Sequence, residues 1–341
     1  MIELSRDSLL FSFPDVHPSA KVRIEFQRTL RIPDDNNEYP LPPGLGPFPL
    51  RHVDDHASRV PASWIEHGGV MLPMYQSEAM WLYFEAGYDE ERGVAYPFAI
   101  KIAAGKINAV SGQPWSDGLA RRPRQDYVVV PTQPWLDGYC VEKGIIRQFV
   151  AMSLGSGYTA EEQITGKAEH GGLQIVAYPM KRAVFEKRFP KRPMVDPGDC
   201  RVPVCRCAPS TPAMGLAPGG RMKQEIYRDK YGLQDWDVDC GSRCFVHLAN
   251  SLVWRQITGS DPPTTPPTSV EYTRAGLPWF LWYDDAAALA GSPELAGLKS
   301  VATMGREKHD TPLPENESVT PEHIRTLRRG MAEHQVREFC E

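Results

Sequence analysis

The chain has 341 residues, of which 41% are hydrophobic, 10% aromatic and 24% charged, a globular composition that excludes a wholly disordered or fibrous polymer. Its formal charge of -5 is spread along the whole length, so no basic stretch for a nucleic-acid backbone stands out, and nucleic acid is not an expected partner. No apolar run approaches the ~20 residues that a bilayer crossing requires, so no membrane partner is expected either.

At the amino terminus the short apolar run Leu9 to Phe13 is stopped by Pro14 and Asp15, unlike a secretory leader, and cytoplasmic residence is the expectation. The 32 prolines and 28 glycines interrupt the chain every few residues. Such spacing disfavours long helices and favours short strands joined by ordered loops. The fold class expected is therefore α+β and β-dominated, with short, mostly antiparallel strands in a sandwich- or barrel-like arrangement and long Pro/Gly-rich loops.

In chain order, Val22, Ile24 and Phe26 alternate with Lys21, Arg23, Glu25 and Gln27, the period of a half-buried strand. A loop rich in fixed φ follows, with Pro40, Pro42, Pro43, Gly44, Gly46, Pro47 and Pro49. Phe98, Ile100 and Ile102 lead to a hairpin near Gly105, with Ile107, Ala109 and Val110 on its return arm. Tyr127 to Val130, Ile145 to Met152 and Leu173 to Tyr178 are short, apolar and rich in β-branched or aromatic residues, and read as strands. Between the last two, Thr159 and Glu162 form a capping-box pair and Gly166 a stop, which predicts a helix of one or two turns.

The stretch 191–220 is rich in Pro, Gly and Cys without periodic pattern. It is expected to be a boundary or long loop between a β-rich part, 1–190, and an α+β part, 221–341, unless the two form one continuous domain. In the second part Met222 to Tyr227 and Cys244 to Ala249 read as strands, and Asn250 or Ser251 caps a helix ending by Gly259. Thr320, Pro321 and Glu322 open the last predicted element, an amphipathic helix over 321–339 with Ile324, Leu327, Met331 and Phe339 on one stripe. The tetrapeptide Glu66-His67-Gly68-Gly69 recurs as Glu169-His170-Gly171-Gly172, each before an apolar run, which is too short to establish a duplication.

Nucleotide-binding loops, zincin helices and the hydrolase nucleophile elbow are absent from the sequence. Two groups of side chains have ligand chemistry. His52, Asp54, Asp55 and His56, with His67 nearby, could converge on a transition metal, or act as general bases without one. Cys200, Cys205, Cys207, Cys240, Cys244 and His247 have the thiolate and imidazole types that tetrahedral zinc requires, though their spacing is irregular and buried free thiols or a redox role fit them as well. The Asp235, Asp237, Asp239 run lacks the glycine and the terminal Glu of an EF-hand and reads as a solvated turn.

Trp279, Phe280, Trp282 and Tyr283, and the Met71 to Phe84 segment, are local excesses of aromatic and methionine side chains that fit a packed interior or the wall of a ligand cleft. Taken together these features point first to a soluble β-rich binding or assembly protein whose Pro-rich loops and aromatic surfaces meet a protein partner, a further copy of itself or a small ligand. The alternatives are a metal-dependent hydrolase or oxidoreductase built on residues 52–67, and a cysteine-based redox protein.

Overall fold

Alternation in the sequence becomes alternation in space along Lys21–Thr29, where Val22, Ile24 and Phe26 are fully buried and the residues between them reach solvent. The computed structural model describes residues 1–35, 37–191, 211–283, 287–310, 319–321 and 323–328. Among them one sheet dominates. Its main path runs Ile2–Ser5, Ser8–Ser12, Lys21–Thr29, Ala79–Ala86, Ile145–Ser153, Thr211–Lys223, Ser242–Asn250, Leu173–Pro179, Phe98–Ala104 and Ile107–Asn108. Every neighbouring pair on that path is antiparallel. Shorter strands add to its edges, including two parallel pairings, Glu38–Tyr39 on Thr211–Lys223 and Val70–Pro73 on Ser242–Asn250. The protein is thus a β-dominated α+β fold.

All seven residues of Phe98–Ala104 and all seven of Leu173–Pro179 are buried, so these central strands have protein on both faces. The largest apolar cluster among the described residues draws side chains from Leu9 to Leu298. Ile145–Ser153, from before the 191–220 stretch, pairs with Thr211–Lys223, a strand that begins inside it. Residues 192–210 lie outside the described ones.

Local signals in the sequence that rest on cap and turn chemistry reappear as structure. Ala104 and Ile107 pair across Gly105 and Lys106, both at positive φ, the two-residue turn whose twist suits a hairpin. Thr159 and Glu162 cap Ala160–Thr165 reciprocally, and Gly166 ends it in the left-handed conformation. Asn250 accepts from the Leu252 and Val253 amides to start Ser251–Thr258, which stops at Gly259. Among the described residues no helix is long and apolar enough to cross a membrane.

Two expected elements differ. Met222 and Lys223 end a strand, and the following Gln224 to Tyr227 is a buried connection rather than its continuation. The expected terminal helix 321–339 is a strand over Ile324–Arg328, paired in parallel with Trp279–Tyr283. Ile324 and Leu327, meant for a buried stripe, are 52% and 37% exposed. Five backbone positions find partners on the aromatic strand, and such pairing outweighs a weak local helix preference. The rest of that helix, 329–339, lies outside the described residues.

The two Glu-His-Gly-Gly tetrapeptides lead into Val70–Pro73 and Leu173–Pro179, which flank opposite edges of the same strand, both aligned at Val246. One runs parallel to that strand and the other antiparallel. A Cβ on Gly69 would lie 2.1 Å from the Phe245 carbonyl oxygen, and one on Gly172 2.5 Å from that of Val246. The shared tetrapeptide therefore serves the same close backbone approach at both edges.

Breaks of this frequency leave many backbone groups outside the ladders, and buried polar side chains take them up. Gln148, fully buried, accepts from the Ile32 amide at 2.8 Å and donates to the Leu30 carbonyl at 2.9 Å. Glu161 accepts the amides of Glu169, His170 and Gly171 at 2.8 to 2.9 Å, holding the second tetrapeptide. Gln125 ties Asp229 to Tyr127, and Gln133 ties Tyr227 to Trp135. Replacing Gln148 by Met, similar in shape but without the amide, strands one donor and one acceptor, and urea unfolding is expected to read a loss of about 2 to 4 kcal/mol. A loss below about 0.5 kcal/mol would show that this amide does not hold the strands together.

Candidate functional site

The ligand types singled out in residues 52–67 do not converge. His52 sits exposed on the short strand Arg51–His52, and Asp54 and Asp55 point to solvent from the 3-10 turn Asp54–His56. His56 is partly covered, and burial lowers its basicity. Arg51 turns away to Asp7 at 3.3 Å. His67, at the end of Ala62–His67, instead stacks on Phe245 with ring centroids 4.6 Å apart and lies 6.5 Å from His170 and 6.2 Å from His247. The ring of His67 thus lies within 6.5 Å of both the second tetrapeptide histidine and the buried zinc-candidate histidine. His247 bonds the Gly68 carbonyl through Nε2 at 3.0 Å, and burial pushes its pKa down to about 3, so it stays neutral.

Of the candidate zinc ligands, Cys200, Cys205 and Cys207 lie outside the described residues. Cys244 and His247 are three apart on one strand and so project to opposite faces, which separates the ligands expected from the 240–247 half-site. Among the described residues no three His, Cys, Asp or Glu side chains are grouped so as to hold a metal ion. Burial raises the Cys244 and Cys140 thiols to about 12, and burial with Asp237 raises that of exposed Cys240. A nucleophilic or redox cysteine needs the opposite shift.

Two sites of different character stand out elsewhere. The first is an apolar pocket of about 180 Å³ between the Pro-rich loop and the aromatic strand, walled by Pro42, Pro43, Trp81, Trp135 and Phe280. Trp81 comes from Ala79–Ala86, and Trp135 from Trp135–Leu136, which pairs with it in register Trp135 to Tyr83. The two indoles meet edge to face at 6.2 Å. Leu41 and Phe280 exchange both backbone hydrogen bonds at 2.8 Å, fixing the loop against the aromatic strand. Gly44 lets that loop approach: a Cβ there would be 2.9 Å from the Trp81 ring. Prolines suit such a wall because they bring no amide needing a partner.

One carboxyl opens onto this pocket. Asp137 is 2% exposed, and among the described residues the hydrogen bond from Gln224 Nε2 at 2.6 Å is the one its side chain receives. Burial pushes its pKa up to about 7, against the lesser, lowering effect of Gln224. The Trp81 Nε1–H, also buried, has no acceptor among the described residues. Glu78 is likewise raised to about 7 by burial, yet it faces the Arg28 guanidinium at 3.6 Å. Lys101 and Asp126, buried together, neutralise one another at 2.7 Å. Among the described residues Asp137 has no such cation.

The second is a cleft of about 920 Å³ lined by Arg121, Arg122, Arg124 and Arg228 among apolar side chains. Its signal in the sequence was the Arg-Arg-Pro-Arg run at 121–124, a charge cluster too short to register against the acidic whole. The signal for the pocket was partly visible in Phe280 and the proline loop. Asp137 was not, because nothing local marks a carboxyl that tertiary packing will bury.

Fold and site together define a β-rich α+β protein with a small aromatic pocket over a buried carboxyl. No known family model matches the chain, and neither a curated protein nor a solved structure does.

With its carboxyl raised in the fold and near 3.9 when unfolded, Asp137 holds its proton more tightly folded than unfolded. Folding stability is therefore fullest below about pH 4 for this group, and falls as pH rises towards 7. Relative to Asp137→Asn, the native protein is expected to lose about 2 to 4 kcal/mol between pH 4 and pH 7.5 in denaturant unfolding, with Glu78 common to both and cancelling. A difference between the two proteins that stays constant over this range would contradict the assigned burial.

Proposed function

We propose that the chain is a binding protein for a small organic cation, seated in the pocket between Pro42, Pro43, Trp81, Trp135 and Phe280 with Asp137 as its counter-charge. The observation that carries the reading is a buried carboxyl with no cation beside it among the described residues, opening onto a cavity whose walls are aromatic faces. Aromatic faces attract an ammonium through the ring quadrupole, most strongly for Trp. Methyl groups on nitrogen suit walls that offer few hydrogen-bond partners, and a buried negative charge supplies what the rings alone do not. At about 180 Å³ the cavity lies below the range for drug-sized ligands, so the ligand is small. This favours ligand binding among the roles open to a β-rich protein with Pro-rich loops and aromatic surfaces.

Choline is a suitable probe, with 3,3-dimethylbutan-1-ol as its uncharged counterpart of the same shape. Calorimetric titration at pH 8 is expected to give one saturable choline site, weakened about tenfold at pH 6, where Asp137 keeps its proton. Trp135→Ala should weaken it about tenfold as well. Equal binding of the neutral alcohol, or binding of neither compound, would remove the cation reading.

A further inference from the structure

The arginine-lined cleft shares no lining residue with the aromatic pocket and has its own support. Its walls come from the 119–125 loop, residues 228–234, which run into the 3-10 turn Leu233–Asp235, and the 289–291 segment, and each is held. Gln125 accepts from the Asp229 amide at 2.8 Å and donates to the Tyr127 carbonyl at 2.8 Å. The Asp229 carboxylate takes up the Tyr127 hydroxyl at 2.6 Å, the Trp236 indole N–H at 3.1 Å and the Tyr231 amide at 2.7 Å. Asp126 receives the Ala120 amide at 2.8 Å and is itself paired with Lys101. The third wall is tied in by the Arg228 amide on the Ala287 carbonyl and the Leu289 amide on that of Ile226, both at 2.7 Å. Loops pinned in this way present their side chains with little ordering left to do on binding.

The charges on these walls are not balanced. Arg124 is paired with Glu294 at 2.6 Å, and Arg121 is oriented by the Tyr231 and Asp229 backbone carbonyls at 2.7 and 3.0 Å, with no carboxylate oxygen bonded to it among the described residues. Arg122 and Arg228 are exposed and have no side-chain partner among the described residues. Among the described residues Arg121, Arg122 and Arg228 have no carboxylate paired with them, a local concentration of positive charge in a chain with formal charge -5 overall. Guanidinium forks match phosphate oxygens in geometry and charge. Val110, Leu119 and Leu289 line the same cleft and can cover an organic body.

We infer that this cleft binds a phosphorylated small molecule, with Arg122 and Arg228 as free anchors for its phosphate groups and Arg121 pre-positioned beside them. The volume of about 920 Å³ accommodates a nucleotide-sized ligand and not merely a free ion.

The test is calorimetry on the full chain at 0.15 M salt, where diffuse surface attraction is screened, with AMP, adenosine, pyrophosphate and citrate as probes. AMP and pyrophosphate are expected to bind at one saturable site, adenosine at none, and citrate at least tenfold more weakly. Arg122→Gln with Arg228→Gln should weaken AMP at least tenfold while leaving the unfolding midpoint in place. Arg228→Gln alone should give part of that loss, and Arg255→Gln, whose guanidinium faces Asp261, none. Absence of saturable AMP binding, citrate as tight as pyrophosphate, or an equal loss in Arg255→Gln would each overturn the inference.

Discussion

A chain broken by proline and glycine every few residues must satisfy its backbone amides and carbonyls without the help of long regular elements. In this protein buried glutamine, asparagine and carboxylate side chains meet that constraint. A primary amide has both donor and acceptor, so Gln148 bridges two backbone groups of the segment after Lys21–Thr29 from a strand 116 residues away in sequence, much as another peptide group would. Gln174 does this for the Lys106 amide and the Gly171 carbonyl, and Asn108 for the Val110 and Ser111 amides and the Asp126 carbonyl. Each such residue is itself buried, so losing one exposes no surface but strands several polar groups. The large sheet and its ordered loops depend on these pairings.

Hydrogen-bond partners also separate structural carboxylates from the one that opens onto the aromatic pocket. Glu161 is met by three backbone amides, Asp229 by a phenol, an indole and an amide, and Asp126 by a lysine. Among the described residues Asp137 has a single neutral amide donor, and its surroundings include tryptophan, phenylalanine and proline. A carboxyl left so poorly compensated in an apolar cavity is costly to ionise, and a ligand cation would remove that cost. The arginine cleft is the complementary case: cations in excess, held on pinned loops, with few counter-charges. Asp137 and the arginines thus present opposite charge demands in two cavities that share no lining residue.

Much of the fold was legible because its cues are local. Period-two burial along residues 21–27, the Gly105 turn, the Thr159 capping box and the Asn250 cap depend on a few neighbouring residues and came through as expected. Residues 324–328 did not, because a helical spacing of apolar residues there competes with an open strand edge on Trp279–Tyr283, whose paired positions, such as Trp279 and Ile324, are far apart in sequence. The ligand types near residue 54 were conspicuous in sequence, yet a 3-10 turn directs Asp54 and Asp55 into solvent, while His67 leaves them for the stack on Phe245. On the other side, Cys244 and His247 looked adjacent as text and are divided by the pleat of a strand.

The amino-acid order by itself determined that this is a chain of short extended segments with capped, brief helices, since turn and cap preferences are set by residues in contact along the backbone. Which strands became neighbours was decided by the tertiary structure alone, and with it the meeting of Pro42, Trp81, Trp135 and Phe280 over Asp137. Burial, and therefore the protonation and pairing of a carboxyl or the excess of charge in a cleft, is a property of surroundings assembled from distant positions, and no stretch of sequence contains it.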